Sequence, residues 1–223
     1  SKSNLTGIKP QDLTSHFGVD AYRWYFLRAI AYGSDGSFSW EDFSARYTSE
    51  LANDYGNLAS RLAAMVGKYF GGALPEATAA GEAEQAVREG LARAVATADE
   101  KIGEELDFQG GILAIFDFVK QVNGYITEQE PWKVAKDESS EGQARLATIL
   151  YTAAEALRGV AVLLNAVMPE TSQKLWESLG AEASLGALAD QPVQDAGTWG
   201  RLPAGATVTK GAVLFPRLEE KPA

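Results

Sequence analysis

The run from Trp40 to Phe70 contains no proline and places Leu51, Tyr55, Leu58, Leu62, Met65 and Tyr69 four, three, four, three and four residues apart. That spacing puts six apolar side chains on one face of a helix and forbids a half-buried strand, which needs a period of two. Ser39 suits the N-cap of this helix, with Glu41 and Asp42 at its positive end. Gly56 marks a bend or a place where another backbone comes close. Similar patterns follow over 82–106, 108–126 and 141–168, separated by Gly71-Gly72, Pro131 and Pro169. Four long amphipathic helices with short joins bury their apolar faces best as an all-α, antiparallel bundle. Two flanking pieces differ. Pro10 opens a short helix before the aromatic run Tyr22 to Leu27, and the stretch from Trp199 to Leu218 reads as turns with one or two short extended segments. The expected division is a connector at 1–38, the bundle at 39–180 and an irregular or β-type tail at 181–223 that packs back on the connector.

Side-chain chemistry narrows the functions. The 223 residues include no cysteine and one histidine, His16. Disulfides, thiolate metal sites and cysteine nucleophiles are excluded, and a histidine-ligated metal or a serine–histidine triad has too little material. No metal site is expected. The longest apolar run, 159–168, is too short to span a bilayer and there is no basic-then-apolar leader, so the expectation is a cytoplasmic chain without membrane contact. The first residue is Ser1 rather than methionine, which reads as a piece of a longer protein.

Three features could carry recognition. Asn57 and Arg61 stand four apart on one helix face, beside the apolar stripe. An amide with donor and acceptor groups and a planar five-donor guanidinium could read the edge of a nucleobase, or could simply bridge two helices. Trp132, after Pro131 at a helix end, is a core plug or a platform for an unstacked base. Lys2, between two serines, could contact phosphate.

Taken in order, SKS, VDAYRWYFLRAIAYGSDGSFSWEDFSARY, LANDYGNLASR and ITEQEPWKVAK resemble methionyl-tRNA synthetases, most closely the bacterial ones. The resemblance runs from the second half of the family's KMSKS signature to LFPRLE near the end. It implies that Asn57 and Arg61 match residues that hydrogen-bond the bases of a CAU anticodon. Trp132 matches the tryptophan on which the first of those bases stacks, and Pro131 shapes its corner. Lys2 matches the second lysine of the signature, which stabilises phosphates during adenylation. The intact parent would join methionine to its tRNA using ATP and Mg²⁺. The nucleotide-binding half lies outside this sequence, so the chain alone should need no cofactor and be catalytically inactive. Its partners would be methionine tRNA, through the anticodon loop, and its own catalytic domain, in a monomer.

Two rival readings remain: the matching domain of a sister synthetase for isoleucine, valine, leucine or cysteine, and a helical module that binds another protein. The net charge of −10 argues against broad phosphate binding, but it is unevenly spread. Residues 76–107 hold three basic and nine acidic side chains, and none of the residues proposed to touch RNA. That helix is expected to face away from the anticodon.

Overall fold

The computed structural model describes residues 9–78, 80–211 and 213–216. The expected long helices are present. α1 (Pro10–Ala29) is broken at Gly18, where φ is 82°, so that a short helix precedes the aromatic run. α2 (Trp40–Arg46), a π-helical segment (Tyr47–Gly56) and α3 (Asn57–Phe70) form the predicted first helix without interruption. The Ser39 hydroxyl caps it, accepting from the Asp42 amide at 3.2 Å. α4 (Glu82–Ala98) runs into a second π-helical turn, Asp99–Glu104. α5 (Phe108–Gln129) and the one-turn α6 (Pro131–Val134) meet at a sharp corner. α7 (Ser140–Leu164), α8 (Pro169–Ser178) and α9 (Ala181–Leu185) complete the helices.

α7 is the core of the bundle. It is long and apolar enough to cross a membrane by length and composition, but 94% of that apolar window is buried against the other helices. α4 and α5 pack on each other and both pack on α7, and α3 also meets α7. Leu51, Tyr55, Leu58 and Leu62 of the predicted stripe are all buried. Closing such side chains off from water contributes about 1.5–3 kcal/mol each, which is why the apolar spacing decides this fold.

The connector is held by polar contacts as well as by its aromatic rings. Arg28 donates to both carboxylate oxygens of Glu50, at 3.2 and 3.1 Å, in a buried bidentate pair. Arg23 donates to the carbonyls of Ala166 and Val167 just past α7. Asp20 accepts from the Thr171 amide at 2.6 Å, satisfying a donor in the first turn of α8. α1 is thereby fastened to the π-helical segment and to the α7–α8 junction.

The tail is irregular. Among the described residues it forms no strand; one isolated antiparallel bridge joins Ala73 to Thr207. Its described contacts also run to the bundle, whereas packing against the connector was expected. Tyr151 donates to the Leu202 carbonyl, Ser178 and Thr209 exchange two hydrogen bonds, and Phe215 packs on Tyr47 and Tyr55. At the bridge Gly72 and Leu74 pair with Gly205, Ala206 and Val208 through backbone hydrogen bonds, and beyond it backbone groups of the tail are taken up by helix side chains and by the end of α8.

Candidate nucleic-acid interface

Asn57 is the first residue of α3, where the backbone leaves π-helical geometry: its N–H still bonds to the Ala52 carbonyl, five residues back. The widened turns shift the helix register relative to an α-helix. Gly56 lies against the tail, and a Cβ there would meet the Leu51 carbonyl oxygen at 3.1 Å and the ring of Phe215 at 3.7 Å. Of the two sequence readings of this glycine, the close approach of another backbone is the one seen, with the Phe215 amide nitrogen 3.8 Å from where a Cβ would stand; the helix changes from π to α geometry here. The result is a groove lined by Asn53, Asn57 and Ser60 on one side and by Val213 and Phe215 on the other. Sequence reasoning missed Asn53. Its spacing of four from Asn57 on the same helix was the available signal.

The second half of the interface comes from the α5–α6 corner. Glu130 adopts the left-handed conformation (φ 46°) that ends α5, and its N–H bonds to the Ile126 carbonyl. Pro131, buried, then starts α6 at the position where its missing N–H costs nothing. The Glu130 carbonyl accepts from the amides of Lys133 and Val134 at 2.7 and 3.1 Å. Trp132 is thus held outward on a rigid one-turn helix, with 39% of its surface exposed, so it is not a core plug. The Arg61 guanidinium carbon lies 5.8 Å from the centre of its ring. A cation over an indole face is attracted by the ring quadrupole, which orients both groups. Among the described residues neither Arg61 nor Asn57 spends its polar side-chain atoms on a hydrogen bond within the fold. Arg61, Trp132 and, one turn away, Asn57 form one surface. Lys2 lies outside the described residues.

A buried network supports the corner from inside. Glu84 Oε1 accepts from the Tyr125 hydroxyl at 2.6 Å and from Arg145 at 2.9 Å, and its other oxygen caps α4 at the Gly81 amide. Arg145 also donates to the Gln129 side chain, two residues before Pro131. Burial alone pushes the Glu84 carboxyl up, but the hydrogen bonds from Arg145, Tyr125 and Gly81 outweigh it and hold the group at about 2. Burial and the same carboxylate push the Tyr125 hydroxyl up. The acidic helix α4 packs on α5 and α7, and Glu84 in its first turn is paired with Arg145.

Because the Glu84 carboxyl is lower in the folded chain than its ordinary value of 4.5, its contribution is complete above pH 4.5 and is lost as pH falls toward about 2. Acid titrations followed by circular dichroism should show wild-type stability dropping faster than that of Glu84→Gln over this window. Parallel curves would mean that the network does not form.

Comparison with known proteins gives two family matches along the chain. Residues 74–223 match the family described as the anticodon binding domain of methionyl tRNA ligase, and residues 1–63 match the class I tRNA synthetases (M). Methionine–tRNA ligase of Streptomyces coelicolor is 87% identical over the whole chain, which covers 41% of that protein. The Deinococcus radiodurans ligase is 42% identical over 99% of the chain, which covers 31% of it. The crystal structure of ligand-free Mycobacterium tuberculosis methionyl-tRNA synthetase superposes with a TM-score of 0.82 at 31% identity. That match covers 96% of this chain and 42% of the other. The chain therefore spans about two fifths or less of the length of these relatives.

Proposed function

The chain belongs to the family of methionyl-tRNA ligase anticodon-binding domains, and from that membership we propose that it recognises the CAU anticodon of methionine tRNA through Asn57, Arg61 and Trp132. The observation that carries the reading is the Arg61–Trp132 contact. Two residues that the sequence separates by one whole helical hairpin face each other at 5.8 Å, outward and without other partners among the described residues. An unstacked base laid on the indole would meet the guanidinium at its edge, and Asn57 one turn away offers an amide to the next. Pro131 and Glu130 keep the platform from moving. A reader of this kind works through a few bases and needs no basic surface of its own, so the acidic composition does not oppose it.

In the intact parent the anticodon signal would select the tRNA to which methionine is joined, using ATP and Mg²⁺, in the cytoplasm. ATP and the metal belong to the catalytic half of that parent. Among the described residues no group of three or more histidine, cysteine, aspartate or glutamate side chains could hold a metal ion. Lys2 is proposed to contact phosphate there.

The test is a titration of RNA hairpins carrying CAU or the anticodons of isoleucine, valine, leucine and cysteine. The CAU hairpin should bind tightest. Arg61→Ala should reduce the preference for CAU over a loop changed at its first base by about 1.5–3 kcal/mol, the worth of a hydrogen bond to a charged donor. Equal weakening for both loops would assign Arg61 to phosphate binding or folding, and a hairpin-independent affinity would overturn the reading.

A further inference from the structure

The chain carries more acids than bases, and nine of its described cations are engaged in ion pairs. The cations without a carboxylate partner among the described residues are not scattered evenly. Arg61 and Lys68 stand two turns apart on α3, Lys136 one turn beyond Trp132, and Lys174 and Lys210 together on one groove. Lys9, Arg23 and Arg88 are the remaining three, and Arg23 is spent on carbonyls.

The groove that holds Lys174 and Lys210 is bounded on the α3 side by the small residues Ala59, Ser60 and Ala63. Ser60 also lines the groove of Asn53 and Asn57, so the two depressions meet at that residue. The backbone just before Lys210 is held to the end of α8: the Thr209 amide donates to the Ser178 carbonyl at 2.8 Å, and the Ser178 hydroxyl donates to the Thr209 carbonyl at 2.6 Å. α8 carries acids as well, but about 100° of rotation per residue puts Leu175 and Ser178 on the groove side of Lys174 and Glu170 and Glu177 on the other. Glu177 also accepts from Gln173.

We propose that Lys174 and Lys210, with Ser60, form a phosphate-binding groove that carries the RNA backbone away from the base-reading residues; this rests on the function proposed above. Both lysines line one depression and, among the described residues, neither has a carboxylate in ion-pair range, an arrangement that complements a polyanion. Small side chains let a sugar–phosphate strand approach α3 closely, and continuity at Ser60 leads that strand from the anticodon pocket. The division of labour is physical: Asn57, Arg61 and Trp132 read bases, and the lysines bind any sequence equally.

The experiment measures binding of the CAU hairpin and of a hairpin changed at the first anticodon base across a range of salt concentrations. Wild type is compared with the Lys174→Gln/Lys210→Gln double variant. Losing two phosphate contacts should reduce the slope of log K against log salt by about 1.4, at about 0.7 per contact for a single strand. From a 1 M reference, that is a loss of about 25-fold at 0.1 M. The loss should be the same for both hairpins, and Lys174→Arg/Lys210→Arg should restore the slope. An unchanged slope in the glutamine variant, or a loss confined to the CAU hairpin, overturns the groove. Wild type that does not distinguish the two hairpins overturns the anticodon reading instead, whatever the lysines do.

Discussion

Arg158→Ala is expected to destabilise the 223-residue chain by about 3–5 kcal/mol, read as a lowered midpoint in urea unfolding. Arg158 and Glu155 sit one turn apart in the middle of α7, and 1% and 0% of their side chains are exposed. The arginine donates to the glutamate at 2.8 Å and to the carbonyls of Asp195, Ala196 and Thr198. The glutamate accepts the amides of Gly200, Arg201 and Leu202 at 3.0, 3.0 and 3.1 Å. Removing the guanidinium leaves a buried carboxylate without its countercharge and three carbonyls without a donor. Because the pair takes up backbone groups of the tail, replacing both residues by apolar ones should not recover the loss. The double variant would still orphan three amides and three carbonyls. A loss below about 1 kcal/mol would place the pair in water rather than in the core.

The consequence reaches the interface. The 200–202 backbone held by Glu155 leads to Thr209, tied to Ser178, and then to Val213 and Phe215 beside Asn57. Loosening the node frees one wall of the Asn57 groove, so the variant should bind RNA less tightly at a temperature where its helices persist.

The helices were legible because each is long, and a stripe such as Leu51 to Tyr69 admits one period only. The π-helical segment over 47–56 was not. A shift of one hydrogen-bond register leaves the same apolar residues facing inward, and Gly56 was its sole trace. Which of the two forms the tail takes, irregular rather than β, was not legible for a different reason. Its run ATVTKGAV carries strand propensity, but Gly72, Leu74 and Ser178 offer that run backbone partners, and the buried Glu155 carboxylate takes the amides of 200–202 before it, none of which a local pattern announces. Arg61 and Trp132 likewise have nothing in their own neighbourhoods to connect them. Their meeting depends on how α3 and the α5–α6 corner are brought together by the bundle. The residues alone left each with two readings, and the family resemblance joined them before the fold did. Lys174 and Lys210 had no such motif, and only the packing of the tail on α8 brings them together.

Trp132→Ala is expected to weaken binding of the CAU hairpin by about 1–3 kcal/mol, roughly 5- to 150-fold, as measured by calorimetric titration. The ring stands on a corner whose other members are fixed by backbone bonds, so truncating it should leave the helical circular dichroism unchanged. Two losses combine: the stacking surface itself, and the ring that steadies the Arg61 guanidinium 5.8 Å from its centre. The second makes the effect non-additive. In a double-mutant cycle, Arg61→Ala should cost less in the Trp132→Ala background than in wild type, because an unanchored guanidinium samples many orientations and reads an edge poorly. Trp132→Phe separates the parts, keeping a smaller stacking face and a weaker cation–ring attraction, and should fall between wild type and alanine. Unchanged affinity in the alanine variant, with its helices intact, would refute the stacking role. Strict additivity with Arg61 would show that the two residues touch the RNA independently, despite facing each other in the fold.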